Sequence, residues 1–131
     1  EYLGFGPCAA SDFAGKRFTI QADLQKYLDG VKTKGIILSE CDTIPLRERA
    51  GEYLMLRLRT VDGIEEGEYT KSFLLPFEPL QKVLEKLEKN DLCVQNGSRW
   101  RLTPKGFMLS NQVILTLREA QQRSKPLAQR R

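Results

Sequence analysis

LCVQNGSRWRLT, residues 92–103, is the stretch that decides the fold. Two short runs, Leu92 to Gln95 and Arg99 to Thr103, have the composition of strands, and Asn96-Gly97 lies between them. An Asn-Gly pair is the strongest short-range hairpin signal, because both turn positions can adopt a positive φ. The sequence therefore predicts a two-stranded hairpin with Asn96 to Arg99 at its tip.

The segments on either side of this hairpin have the periodicity of helices. Before it, apolar residues recur along one helical face, and Asn90-Asp91 ends the pattern. After it, Thr103-Pro104 combines a capping hydroxyl with a proline in the first turn, which predicts a helix from Pro104 to about Ala120. The apolar positions of the preceding helix are Phe77, Leu80, Val83, Leu84 and Leu87.

Two further helices are predicted upstream. Thr43 and Pro45 begin the first, whose apolar stripe extends from Leu46 to Leu58, and a short second helix covers Glu65 to Phe73. Alternation around Leu54, Leu56 and Leu58 leaves a strand over 54–59 as the alternative to the helix.

Three helices, a hairpin and a last helix follow each other in the order of a winged-helix unit. The predicted fold class is mainly α with a small β-hairpin (α+β), with a winged-helix-like C-terminal domain over residues 37–120. The segment 1–36 contains a turn at 13–17, an extended piece at 17–20 and a short helix near 23–31 that Gly30 ends. Residues 121–131 are predicted to be a disordered basic tail.

The formal net charge of +4 does not indicate a nucleic-acid-binding body. From Arg118 onward there are five basic residues and one acid, so the preceding residues are balanced. A duplex-binding domain normally carries a basic stripe on its folded surface, because phosphate contacts supply much of the affinity. Nucleic acid is therefore not the favoured partner.

Composition excludes several other classes of protein. No apolar run approaches the length of a membrane span, and the first 20 residues lack the features of a signal peptide. The sequence has no initiator methionine, which favours a fragment of a longer protein. It has no histidine, so the common zinc sites and the Ser/His or Cys/His nucleophiles are excluded. Cys8, Cys41 and Cys93 form no CxxC pair, and we expect buried free thiols in the reducing cytoplasm.

The opening stretch, EYLGFGPCAASDF, is rich in small residues. Glycines allow a backbone to approach a neighbouring group closely, so Gly4, Gly6 and Ala10 are candidates for a ligand-facing segment. The alternative is structural, with Gly4 and Gly6 only forming a tight turn.

In order and spacing, several short motifs over residues 1 to about 118 resemble the C-terminal part of the oxygen-independent coproporphyrinogen III oxidase family, which includes the similar haem chaperones. The residues that carry the resemblance are Tyr2 to Ser11, Arg17-Phe18, Asp23-Leu24, Tyr27, Glu52 to Arg59, Gly63-Ile64, Phe73, Arg101 to Gly106 and Leu109 to Asn111.

The resemblance implies a parent protein that uses S-adenosylmethionine for radical chemistry. Its N-terminal catalytic barrel would hold a [4Fe–4S] cluster through a CxxxCxxC motif, which this chain does not have, and residues 1–36 would be the end of that barrel and a linker helix. Gly4, Gly6 and Ala10 would lie in the S-adenosylmethionine region. Ala10 aligns with the family position that contacts a second S-adenosylmethionine, where alanine replaces a larger residue.

Three function classes follow. The favoured one is an accessory domain that covers the barrel mouth in an oxidase or a haem chaperone, with the chaperone branch preferred and porphyrinogen or haem bound by the parent. Without histidine, haem ligation would fall to cysteine, methionine or tyrosine, and Tyr53, Met55 and Met108 are more often core residues. The second class is a winged-helix nucleic-acid binder. The third is a self-contained enzyme with Glu65, Glu66 and Glu68 as acid/base groups, although acids at a helix start commonly serve the helix dipole. We expect this chain alone to be catalytically inactive, with no metal site.

Overall fold

The computed structural model describes residues 1–127 of the chain. It divides into two compact units, the first being Glu1–Pro45 and the second beginning at Leu46. The sequence interpretation placed the boundary between residues 36 and 37, before a segment that the structure includes in the sheet of the first unit.

The first unit contains a three-stranded antiparallel sheet and one helix. The sheet order is β1-β2-β3, with Ala10 opposite Thr19 and Phe18 opposite Cys41. The turn between β1 and β2 uses positive φ at Ala14 (51°) and Gly15 (78°), the conformation that two-residue hairpin turns require. The elements are β1 (Ala10–Phe13), β2 (Lys16–Ile20), α1 (Leu24–Lys32) and β3 (Leu38–Thr43).

The second unit has the predicted order of three helices, a hairpin and a closing helical region. A short strand before the second of these helices pairs with the hairpin, so that the sheet order is β4-β6-β5. The elements are α2 (Leu46–Arg57), β4 (Ile64–Glu65), α3 (Glu66–Phe73), α4 (Glu78–Glu88), β5 (Cys93–Asn96), β6 (Arg99–Leu102), α5 (Pro104–Met108) and α6 (Ser110–Arg123). The α+β fold class with a winged-helix-like unit is confirmed.

The hairpin forms where Asn96-Gly97 predicted it. Asn96 pairs with Arg99, and Gly97 has a φ of +63°. Trp100, in the central strand β6, is 2% exposed and lies opposite Ile64 of β4. This strand therefore packs its one aromatic side chain into the core and holds the wing against the helices.

The apolar core of the described residues lies in the second unit. Its helical contributions come from α2, α4 and α6, and Tyr53, Tyr69, Phe73 and Phe77 add a cluster of tilted and edge-to-face rings. The buried apolar residues are Ala50, Leu54, Leu58, Ile64, Tyr69, Leu75, Phe77, Leu80, Leu84, Cys93, Trp100, Val113, Ile114 and Leu117.

Several local predictions differ from the structure. The strand alternative over 54–59 is wrong, because α2 continues to Arg57 and Leu58 N donates to Leu54 O. The last helix is interrupted at Leu109 (φ −104°, ψ 18°), which separates α5 from α6. The strands β1 and β4 were not predicted from the sequence.

The beginning of the predicted tail is helical in the structure. Helix α6 continues to Arg123, and the Arg47 guanidinium donates to the carbonyl oxygens of Gln121, Gln122 and Ser124 at 2.8–3.0 Å. Residues 128–131 of that predicted tail lie outside the described residues. In the part of the chain that the structure describes, no helix is both long and apolar enough to span a membrane.

Candidate functional site

The loop that carries the three predicted site residues brings Gly4 and Ala10 together. A Cβ on Gly4 would lie 2.5 Å from the Ala10 carbonyl oxygen, so only glycine fits here. Gly4 N also donates to Ser11 Oγ at 3.0 Å. The two ends of the loop are therefore in direct contact, which is the kind of close packing that the structural alternative for Gly4 describes.

Gly6 lies at the turn of the same loop and has a φ of +94°. A Cβ built on it would meet no atom within 4 Å, so its role is conformational and the space beside it is open. Ala10 begins β1 and its side chain is exposed. A pocket of about 240 Å³ in this unit is lined by Glu1, Tyr2, Leu3 and Phe13, and none of the three predicted residues contributes to it.

Sequence reasoning did not single out the residues that hold this loop in place. Ser11 is fully buried, and its hydroxyl accepts the Gly4 amide. The neighbouring Asp12 is 8% exposed and forms an ion pair with Arg17 at 3.1 Å across the β1–β2 hairpin. The sequence signal for these residues was the polar pair Ser11-Asp12 directly after two alanines. A carboxylate that is buried in such a segment requires a charged or hydrogen-bonding partner.

The three glutamates of the acid/base hypothesis have structural roles. Glu65 caps α3, since its carboxylate accepts from Glu68 N at 2.5 Å. The Glu68 carboxylate accepts from Tyr53 Oη at 3.1 Å and from Arg57 Nη2 at 3.4 Å. Glu66 is exposed in the first turn of α3, where a negative charge is favourable to the helix dipole.

The pKa values in this cluster follow from the same contacts. Hydrogen bonds from the Glu68 and Gly67 amides lower the pKa of Glu65. Partial burial raises the pKa of Tyr53, and the adjacent Glu68 charge acts in the same direction. Glu65 is thus held ionised, as a helix cap requires, and Tyr53 is held protonated, as a hydrogen-bond donor requires. Neither group has a pKa suited to general acid–base catalysis near neutral pH.

The candidate haem ligands are scattered. Tyr53 uses its hydroxyl to join α2 to α3, Met55 packs against the core, and Met108 at the end of α5 is 88% exposed. Among the cysteines, the expectation of burial is confirmed for Cys93 and wrong for Cys8 and Cys41, whose side chains are exposed. Burial raises the pKa of the Cys93 thiol to about 12, so this sulfur stays protonated.

Between residues 1 and 127 the structure contains no group of three or more His, Cys, Asp or Glu side chains that could hold a metal ion. A [4Fe–4S] cluster with three cysteine ligands therefore does not fit the described residues of this chain.

The basic residues of α4 are interleaved with acids on the same helix. Lys82 Nζ lies 2.9 Å from Glu78 Oε1 at an i, i+4 spacing, and this carboxylate raises the pKa of Lys82. At the same spacing, Gln81 Nε2 donates a hydrogen bond to Glu85 Oε1 at 2.9 Å. This surface is a mixed, solvated face, so a nucleic-acid-binding winged helix is not favoured.

The family model described as HemN C-terminal domain matches residues 44–109. This chain belongs to the HemN C-terminal domain family. The matched range begins just before α2 and ends at the break between α5 and α6, so it covers the three helices and the wing. The resemblance seen in the sequence is confirmed.

Two relatives extend the comparison beyond this range. The heme chaperone HemW of Bacillus subtilis (strain 168) is 25% identical over 115 residues, which are 87% of this chain and 30% of the relative. The solved coproporphyrinogen III oxidase (HemN) from Escherichia coli, a radical SAM enzyme, has the same fold with a TM-score of 0.62 and 19% identity, covering 88% of this chain and 27% of that one. The chain therefore spans less than a third of the length of each relative.

Proposed function

We propose that this chain is the C-terminal accessory part of a radical S-adenosylmethionine protein of haem biosynthesis or haem trafficking, in the cytoplasm. The match of the HemN C-terminal domain family over residues 44–109 is the observation that carries the proposal. The haem chaperone branch is preferred, because the curated relative aligned with 87% of the chain is a haem chaperone. The free thiols of Cys8, Cys41 and Cys93 are consistent with a reducing compartment.

In this proposal the partner of the chain is the N-terminal catalytic barrel of the same polypeptide. The first unit, Glu1–Pro45, contains the end of that barrel and a linker helix, and the accessory domain begins at Leu46. S-adenosylmethionine and a [4Fe–4S] cluster, bound in the barrel, supply the radical chemistry. The accessory domain covers the barrel mouth and keeps water and oxygen from it.

The Gly4–Ala10 loop is proposed to face the S-adenosylmethionine region. Support comes from the open space beside Gly6 and from the exposed position of Ala10. In the full-length polypeptide, Ala10→Trp should weaken S-adenosylmethionine binding by at least about tenfold, roughly 1.4 kcal/mol. Ser39→Trp, at an exposed position of β3, is the matched control and should leave binding unchanged. Equal affinities in the two variants would remove this part of the proposal.

The two branches of the function are separated by assays on the full-length polypeptide. Haemin titration followed by transfer to an apoprotein tests the chaperone, and conversion of coproporphyrinogen III under anaerobic conditions tests the oxidase. We expect saturable haem binding and transfer. Conversion of coproporphyrinogen III without haem transfer would assign the oxidase branch, and the absence of both activities would refute the proposal.

The isolated 131-residue chain is expected to catalyse neither reaction. Its described residues provide no cluster site, and its best-placed acidic groups are committed to the α3 cap and to Tyr53 and Arg57. Measurable coproporphyrinogen oxidation by this chain would contradict the assignment of an accessory role.

A further inference from the structure

Helix α1 presents an apolar stripe to solvent. Leu24, Leu28 and Val31 recur at i, i+4 and i+7, and their side chains are 60%, 39% and 51% exposed. A surface helix of a globular protein normally turns such a stripe toward a core. In this helix the stripe has no partner within the described chain that removes it from water.

The contact of α1 with its own unit is made along another side of the helix. A Cβ on Gly30 would lie 2.7 Å from Ile37 Cγ2, so the helix approaches the following segment at Gly30. At about 100° per residue, Gly30 is at least about 100° around the helix from Leu24, Leu28 and Val31. The apolar stripe is therefore directed away from this contact, and closer packing of Gly30 on Ile37 cannot cover it.

The first unit also lacks an apolar core of its own. The residues of Glu1–Pro45 that are buried in the structure are polar, Ser11 and Asp12. Every buried apolar residue in the described chain belongs to the second unit. Since apolar burial is the main favourable term in folding, a segment of this length that exposes its apolar side chains requires an additional surface.

The comparisons indicate where that surface comes from. The second unit has 86 residues, so at least about 29 of the 115 residues aligned with HemW must fall in Glu1–Pro45, and at least about 27 of them lie before the family match begins at residue 44. The first unit thus recurs in a relative of which this chain covers 30%, and which has a long further polypeptide. In the proposed function, the first unit lies between that polypeptide and the C-terminal domain.

We infer that the Leu24–Leu28–Val31 stripe of α1 is a docking surface for an apolar patch on the N-terminal part of the same polypeptide. The inference rests on the proposed function, which supplies that part, and it adds the contact that joins the two. It assigns α1 as the helix that fixes the accessory domain to the catalytic part, rather than a flexible linker.

Hydrogen exchange measured by mass spectrometry tests this contact. Amides of α1 should exchange at least about tenfold more slowly in the full-length polypeptide than in the 131-residue chain, because docking adds protection against local opening. Amides of α4, inside the second unit, should exchange alike in both. Equal exchange of α1 in the two chains would overturn the inference.

Matched variants of the full-length polypeptide separate docking from general stability. Leu28→Lys combined with Val31→Lys should return α1 exchange to the rate in the 131-residue chain. Leu56→Lys, at a leucine of α2 that is 62% exposed, should leave it unchanged. No effect of the double substitution would refute the docking surface. Self-association of the 131-residue chain that Leu28→Lys abolishes would assign the stripe to a second copy and also overturn the inference.

The experiments test the docking surface and the proposed function separately. Absence of haem transfer and of coproporphyrinogen conversion in the wild-type full-length polypeptide would remove the proposed function while α1 could still be protected. Fast exchange of α1 in a polypeptide that performs either activity would remove the docking surface alone.

Discussion

Replacing Gly106 by alanine should separate the wing from the helix that follows it. Gly106 lies in α5, where alanine would ordinarily stabilise a helix by about 1 kcal/mol. In this structure, however, a Cβ on Gly106 would lie 2.7 Å from the carbonyl carbon of Leu92 and closer still to its oxygen. The same oxygen accepts the Thr103 amide at 3.1 Å, at the base of the hairpin.

The magnitude follows from these contacts. An ordinary carbon–oxygen contact is about 3.3 Å or longer, so the methyl group must push α5 away from the Leu92 backbone. Overpacking of this kind costs about 1–3 kcal/mol, and loss of the Thr103–Leu92 bond adds about 1 kcal/mol. After the gain in helix propensity, we expect Gly106→Ala to lower the free energy of unfolding by about 1–3 kcal/mol. That is a large share of the roughly 4–13 kcal/mol available to a unit of this size.

Urea denaturation monitored by tryptophan fluorescence is the appropriate assay. Trp100 is the single tryptophan and is 2% exposed, so its emission reports unfolding of the wing and core together. With urea m-values of about 1–3 kcal/mol/M, a loss of about 2 kcal/mol should lower the midpoint by about 0.7–2 M. Gly67→Ala in α3 is the control, because the atoms nearest to its Cβ would be the Glu65 carboxylate oxygens, at 3.3 Å, which belong to a side chain and not to the backbone.

The control should have a midpoint equal to or above that of the wild type. If Gly106→Ala were as stable as Gly67→Ala, the close approach of α5 to Leu92 would not exist in solution. A lower m-value with an unchanged midpoint would instead indicate loss of two-state unfolding, and the packing argument would also fail.

Three further predictions concern single side chains. Arg47→Ala removes the donor to three carbonyl oxygens at the end of α6, so the free energy of unfolding should fall by about 2 kcal/mol. The amides of the last turn of α6 should exchange faster, and Arg47→Lys should restore part of the lost stability. Burial raises the pKa of Cys93 from 9.0 to about 12 in the folded state, so the contribution of this thiol to stability is complete below pH 9 and is lost as the pH rises toward 12. In Cys93→Ala, the free energy of unfolding should therefore fall less steeply over this pH range. An identical slope in the two proteins would contradict the burial of the thiol. The lowered pKa of Glu65 has the opposite sign: its contribution is present above about pH 4.5 and is lost as the pH falls further, so acid titrations of helicity should differ between wild type and Glu65→Gln.

Local signals determined how well each element could be predicted. The wing could be predicted because Asn96-Gly97 supplies the required positive φ by itself. Helix α4 could be predicted because five apolar residues recur on one face. In the first unit, the turn at 13–17 and the extended piece after it were predicted, but the strand before the turn was not. The sequence of β1 is ASDF, and alanine and aspartate are depleted in strands.

Elements that depend on distant partners were not predicted. The two residues of β4 are a strand only because β6 lies beside them, 35 or so positions later in the chain. The break at Leu109 contains no glycine or proline, and it lies next to Asn111, which accepts a hydrogen bond from Arg59 at 2.7 Å. The order at the end of α6 likewise depends on Arg47, more than 70 residues away. The residue pattern within a short stretch of sequence gives no information about such long-range contacts.

For the candidate site, the sequence indicated a close approach at Gly4, Gly6 and Ala10 but not the residues that hold this loop in place. The contact of Gly4 with the Ala10 carbonyl, the buried Ser11 hydroxyl and the Asp12–Arg17 pair became evident only from the folded sheet. Pairing across a hairpin places residues that are five apart opposite each other, and only the register reveals it.

The central position of β6 has a consequence for synthesis on the ribosome. Its neighbours in the sheet come from both sides, β4 from early in the unit and β5 from immediately before it. A nascent chain that has emerged only as far as α4 leaves β4 without a strand to pair with and leaves α2 without α6, which follows it by more than 50 residues. The unit can acquire its native structure only after α6 has been synthesised, so its apolar helices depend on protection during elongation.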